Sequence, residues 1–135
     1  MPPREPHGVP LDELFRALGD RTRLRLLNLM AGQELCVCYF IDVIGAPQPK
    51  ISRHLAYLRR TGIVRARREG KWMHYRLVMP RPSHAASIVK STLDALRQDK
   101  EMQRDRTRLV KVCCMASPPV QIVGAPKPAR VAAGA

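Results

Sequence analysis

The stretch from Gln48 to Tyr75, QPKISRHLAYLRRTGIVRARREGKWMHY, restricts the fold more than any other part of the chain. Ile51, Leu55 and Leu58 recur at i, i+4 and i+7, which predicts a helix with one apolar face. Lys50, Arg53, Tyr57 and Arg60 fall on its other side. Pro49 suits a first turn, where its missing N–H costs no hydrogen bond, and Gly62 stops the helix. Ile63 to Arg68 and Trp72 to Val78 then alternate as strands around the turn Glu69-Gly70-Lys71. A helix running straight into a basic hairpin suits double-stranded DNA, the helix in the major groove and the hairpin against a minor groove or the backbone.

The upstream pattern supplies the rest of such a unit. Leu11, Leu14, Phe15 and Leu18 predict a first amphipathic helix over Pro10 to Leu18. Asp20 is placed to cap a second, Arg21 to Ala31, which Gly32 stops. A short third helix is expected from Cys36 to Ile44, followed by the turn Gly45-Ala46-Pro47. Three helices, a turn, a recognition helix and a hairpin make a winged helix-turn-helix, mainly α with a small β-hairpin. Beyond Pro80 and Pro82 a fifth helix is expected, capped by Ser83, with Ala85, Val89, Leu93 and Leu96 on one face. Asp99 to Arg108 is mostly charged and reads as an exposed helix or a loose extension. The implied organisation is a flexible tail over 1–9, one domain over 10–114, and a disordered Pro/Ala-rich tail over 115–135.

Charge supports a polyanionic partner. The 135 residues hold 24 Lys+Arg against 11 Asp+Glu, a net charge of +13, and the bases crowd the helix and hairpin. Gln48, Ser52 and Arg53 suit base edges, while Lys50, Arg59 and Arg60 suit phosphates. Arg67, Arg68 and Lys71 are expected at the wing tip, and Tyr57 against a sugar or phosphate. His54 lies near the inner face of its helix, where a structural hydrogen bond and a base contact both remain open. Trp72 and Tyr75 read as wing packing. No apolar run spans a bilayer and MPPREPHGVP has no secretory core, so the expected location is the cytoplasm, with reduced cysteines and no membrane partner. No nucleophile and base at a recognisable spacing and no phosphate loop point to an enzyme.

Three blocks in order, ALGDRTRLRLLNLM (Ala17 to Met30), ELCVC (Glu34 to Cys38) and QPKISRHLAYLRRTGIVRARREGKWMHYRL (Gln48 to Leu77), resemble the ArsR/SmtB family of metal-responsive repressors. The resemblance covers Leu11 to Val78 and, more loosely, the following helix. It implies a homodimer paired through Leu11–Leu18 and Ala85–Leu96, seated on an inverted-repeat operator and released when metal binds. The chain differs from family patterns at Tyr39, where Asp is usual, at Ile41, where arsenite-sensing members carry a third Cys, and at Pro47, where Ser is common.

The four cysteines are candidate ligands for a soft centre. Arsenite offers three bonds to sulfur, whereas methylarsenite has spent one valence on carbon and needs two thiolates. The adjacent Cys113 and Cys114 can close a small chelate ring, and the residue pattern around them is weakly structured. Cys36 and Cys38, if both helical, stand about 200° apart and share no ligand unless the helix starts later. A site joining Cys36 and Cys38 to a Cys113-Cys114 thiol would supply three ligands. The competing reading for each pair is buried packing. Three functions remain open: release of DNA by a trivalent arsenical or antimonite, the same fold answering cadmium or thiol oxidation, and constitutive DNA binding.

Overall fold

α2 (Arg21–Met30) is central because its second half has no polar side to show: Leu26, Leu27, Leu29 and Met30 are fully buried. The computed structural model describes residues 8–113 and 124–128. Around α2 pack α1 (Leu11–Leu18), α3 (Val37–Ile44), α4 (Gln48–Arg60), α5 (Ser83–Leu96) and α6 (Lys100–Cys113). β1 (Leu35–Cys36), β2 (Val64–Glu69) and β3 (Trp72–Leu77) form an antiparallel sheet in the order β1-β3-β2. The architecture is the expected winged helix-turn-helix, with the hairpin extended by β1 to three strands.

Local signals place the boundaries. Asp20 accepts the Arg23 backbone N–H at 3.0 Å and starts α2. α3 ends on Gly45 in the left-handed region, φ 75°, which reverses the chain toward α4. Gly70 and Lys71 connect the strands as a two-residue turn with Gly70 at φ 57°, and Glu69 faces Trp72 across it. Ser83 does not cap α5; Pro82 precedes it as N-cap and no side chain bonds there. Among the described residues no helix is long and apolar enough to cross a membrane.

The charged stretch after Asp99 is neither loose nor wholly exposed. It is the first part of α6, and its acids dock the helix on α2. Asp99 accepts the backbone N–H groups of Glu101 and Met102, capping the helix, and its carboxylate meets Arg21 at 2.6 Å. Arg25 donates to both oxygens of Asp105 at 2.7 and 2.9 Å, and Asp105 is buried. Asn28, also buried, donates to the Met102 carbonyl at 3.1 Å and accepts from Arg106. Composition alone hides this, because a stretch rich in both signs reads as solvated unless the opposing helix is known to present arginines. Behind these bonds Met102, Leu109, Val112 and Cys113 complete the core.

α1 keeps an unpaired face. Leu14 and Leu18 are buried, but Leu11 and Phe15 of the same predicted stripe are 49% and 54% exposed.

Asp105→Ala removes the two-point partner of the half-enclosed Arg25 guanidinium and leaves it only the longer 3.7 Å contact to Glu101. It should lower unfolding stability by about 3 kcal/mol, read as a shift in the urea midpoint at unchanged slope.

Candidate nucleic-acid interface and thiol pair

α4 turns part of the set expected to contact DNA toward solvent. Ile51, Leu55 and Leu58 are fully buried, which turns Gln48, Lys50, Arg53, Arg59 and Arg60 outward, with Ser52 half-buried beside them. Tyr57 sits differently from expectation, and His54 makes a structural hydrogen bond, one of the two roles open to it. Tyr57 is half-buried rather than on the outer face, with the Arg23 guanidinium 4.3 Å and that of Arg60 5.4 Å from its ring centre. His54 accepts from Arg23 at Nδ1, 3.3 Å away. Arginine only donates, so the neutral imidazole carries its proton on Nε2. Burial pushes the His54 pKa down, opposed by Asp20 and aided by the charges of Arg23, Lys50 and Arg53.

Arg23 is a positioning residue that periodicity alone did not mark. Its guanidinium also donates to the Ala17 and Arg16 carbonyls at 2.9 and 2.7 Å, satisfying the end of α1. One side chain thereby ties α1, α2 and α4 together. Within the run Arg21-Thr22-Arg23-Leu24-Arg25 nothing separates it from its neighbours, which serve α6 instead.

The wing divides its bases. Arg68 and Lys71 stand at the tip, Arg68 donating to the Gly70 carbonyl at 3.1 Å and Lys71 lying 5.0 Å from the Trp72 ring centre. Arg67 is not at the tip. It faces His74 in the middle of the ladder and grips Glu34 through bonds of 2.6 to 3.1 Å. The arginine holds the Glu34 carboxyl below the usual range. This pair ties the start of the ELCVC segment to the wing, and Arg67 reaches a phosphate only by sharing its guanidinium with Glu34. Residues 124–128, within the segment expected to be disordered, lie along the same side: Pro126, Lys127 and Pro128 line a cavity of about 380 Å³ with Gln33, Glu34, Arg67 and His74.

The thiols occupy the junction between wing and helix-turn-helix. α3 starts at Val37, one residue later than expected, and Cys36 is its extended N-cap at φ −69° and ψ 144°. The helical separation therefore does not apply: Cys38 Sγ donates to Cys36 Sγ at 3.3 Å, both buried and both free. Two sulfurs bonded to one soft atom at the usual metal–thiolate length of about 2.3 Å stand roughly 3–4 Å apart, so the pair needs little movement to share a ligand. Cys36 pairs with His74 and Leu35 with Tyr75, which attaches the thiol pair to the wing, while Phe40 of α3 meets the Tyr75 ring edge-on at 6.3 Å.

Burial, then the hydrogen bond and charge of Cys36, push the Cys38 thiol up to about 12. Burial, followed by the charges of Cys113, Cys38 and Cys36, raises the Tyr39 phenol to about 12. Three thiols therefore lie in electrostatic range of one tyrosine. Among the described residues no three His, Cys, Asp or Glu side chains converge closely enough to hold a metal ion. Cys113 is not the loosely held residue its neighbours in sequence suggest: it is buried as the last residue of α6. Cys114 lies outside the described residues.

Fold and surface define a winged-helix DNA-binding transcription regulator. Residues 20–66 match the model of the bacterial regulatory proteins of the arsR family. The arsenical resistance operon repressor of Escherichia coli K12 is 47% identical over 78 residues, spanning 57% of this chain and 67% of the relative. An uncharacterized HTH-type transcriptional regulator of Methanocaldococcus jannaschii is 46% identical over 78 residues, 57% of this chain and 88% of its own. The crystal structure of the AntR antimony-specific transcriptional repressor superposes with a TM-score of 0.51 at 30% identity, covering 65% of this chain and 78% of that one. The chain belongs to the arsR family.

At pH 7 Cys38 should alkylate more slowly than an exposed thiol by about two orders of magnitude or more, because it is enclosed and almost wholly protonated. Peptide mass spectrometry after timed iodoacetamide treatment reads this directly, and labelling as fast as in the urea-unfolded chain would contradict it.

Proposed function

We propose that the protein is a homodimeric repressor that holds an inverted-repeat operator while its thiols are free and releases it when a trivalent arsenical or antimonite occupies them. The observation that carries this reading is the 3.3 Å approach of Cys36 and Cys38 at a point joined to both reading elements. Cys36 pairs with β3 of the wing, and Cys38 lies in the first turn of α3, whose C-terminal turn delivers α4. A ligand that pins both sulfurs constrains the wing and the recognition helix at once, and it lowers DNA affinity by its preference for the constrained geometry. The soft, trivalent character of the ligand is supported by the thiol-only donor set and by the similarity to the arsenical and antimony repressors above. Two thiolates satisfy methylarsenite. Arsenite takes a third, for which the buried Cys113, in electrostatic range of the same tyrosine, and Cys114 are the available donors.

Gln48, Ser52 and Arg53 read base edges in this account, Lys50, Arg60, Arg68 and Lys71 hold phosphates, and His54 and Tyr57 fix the pitch of α4 through Arg23. The dimer interface is the unburied face of α1, where Leu11 and Phe15 stay exposed, together with α5.

The deciding experiment is operator anisotropy titrated with arsenite, methylarsenite, antimonite and cadmium, for wild type and for the Cys36→Ser/Cys38→Ser and Cys113→Ser/Cys114→Ser variants. Release by the arsenicals is expected in wild type and abolished in the first variant. If both variants release like wild type, the thiol reading is lost. A protonated Cys38 adds a pH signature. Arsenous acid condenses with thiols, each S–H proton leaving in water with a displaced hydroxide, so its half-release concentration should stay flat between about pH 6 and 8. Cadmium must expel the proton to solvent, so its potency should rise about tenfold per pH unit for each protonated thiol it engages.

Arg53→Ala should weaken operator binding by about 1–3 kcal/mol more than it weakens binding to mixed-sequence DNA. Equal losses on both would reduce Arg53 to a phosphate anchor.

A further inference from the structure

α6 sorts its charges by side. Glu101 and Asp105 face α2 and are taken up by Arg21 and Arg25. At about 100° per residue, Lys100, Arg104, Thr107 and Lys111 fall on one stripe opposite the buried Met102, Leu109 and Val112. Gln103 and Arg108 flank that stripe, and these six residues make up one open surface along the outer side of the helix. Arg108 reaches Asp42 at 3.3 Å. Among the described residues no carboxylate lies within ion-pair distance of Lys100, Arg104 or Lys111. The recognition helix and wing do not use this charge: α4 and α6 both seat on α2 and α3, with no substantial packing of α4 on α6, and the stripe turns away from that pair.

We propose that this face of α6 binds the phosphate backbone of a second DNA duplex, so that protein bound through α4 and the wing bridges two DNA segments. The stripe runs about 16 Å, and a duplex presents one charge per roughly 1.7 Å of axis, so about ten phosphates lie along it. Lysine, arginine, threonine and glutamine are the side chains that hold phosphate oxygens, and none here carries sequence information. A membrane surface is the wrong partner, because an interfacial helix inserts its apolar side and that side of α6 is buried in the core. The inference is independent of the thiol response.

The test immobilises one duplex and loads the full-length protein at low salt, where the α4–wing face holds any duplex. A labelled second duplex of unrelated sequence is then added. Retention on the first duplex reports the DNA-reading face alone, so failure there is distinguishable from failure of the bridge. Wild type should capture the second duplex, with capture falling as salt rises. Lys100→Gln/Arg104→Gln/Lys111→Gln should keep its circular-dichroism melt and hold a single duplex within about twofold, yet lose second-duplex capture by at least about tenfold. Equal capture by the variant, no capture by wild type, or preference for polyglutamate over the duplex would each overturn the assignment.

Discussion

The docking of α6 on α2 is the interaction on which the arrangement of the functional groups rests. α2 is too apolar in its second half to tolerate solvent, yet it carries Arg25 and Asn28 into the same buried environment. Polar groups taken out of water must be matched, and α6 matches them with Asp105, the Met102 carbonyl and Arg106. Directionality follows. A purely apolar contact would let α6 slide or rotate, whereas a two-point arginine–carboxylate bond fixes register and roll. Fixing α6 in this way delivers Cys113 to the core near Tyr39 and turns the basic stripe outward.

Arg23 performs a parallel task on the other side of α2. Its guanidinium closes the end of α1, stacks on Tyr57 and meets His54. The pitch of α4 is therefore referred back to α1, the helix whose Leu11 and Phe15 are exposed.

The thiol pair belongs to this wiring because of where a strand becomes a helix. Cys36 is extended so that Leu35 and Cys36 can bond to β3, and the helix begins only afterwards. Two residues of strand pairing thus bring two sulfurs together that a regular helix would have set on different sides. Glu34 and Arg67 brace the same junction from the surface.

Much of the chain was legible in its sequence. The apolar spacing of Ile51, Leu55 and Leu58 determined which side of α4 faces outward. Gly45, Gly62 and Gly70 marked reversals that require positive φ, and Asp20 announced a helix start. These are local rules, satisfied within a few residues. What tertiary structure alone decided involves partners far apart in the chain. Asp99 to Asp105 read as solvated until Arg21 and Arg25 came opposite, Arg67 read as a wing-tip contact until Glu34 claimed it, and Cys36 read as helical until β3 drew it into a strand. Periodicity reports which side of an element is apolar, but the partner of a charge or a thiol is set by packing between elements, which no window along the chain contains.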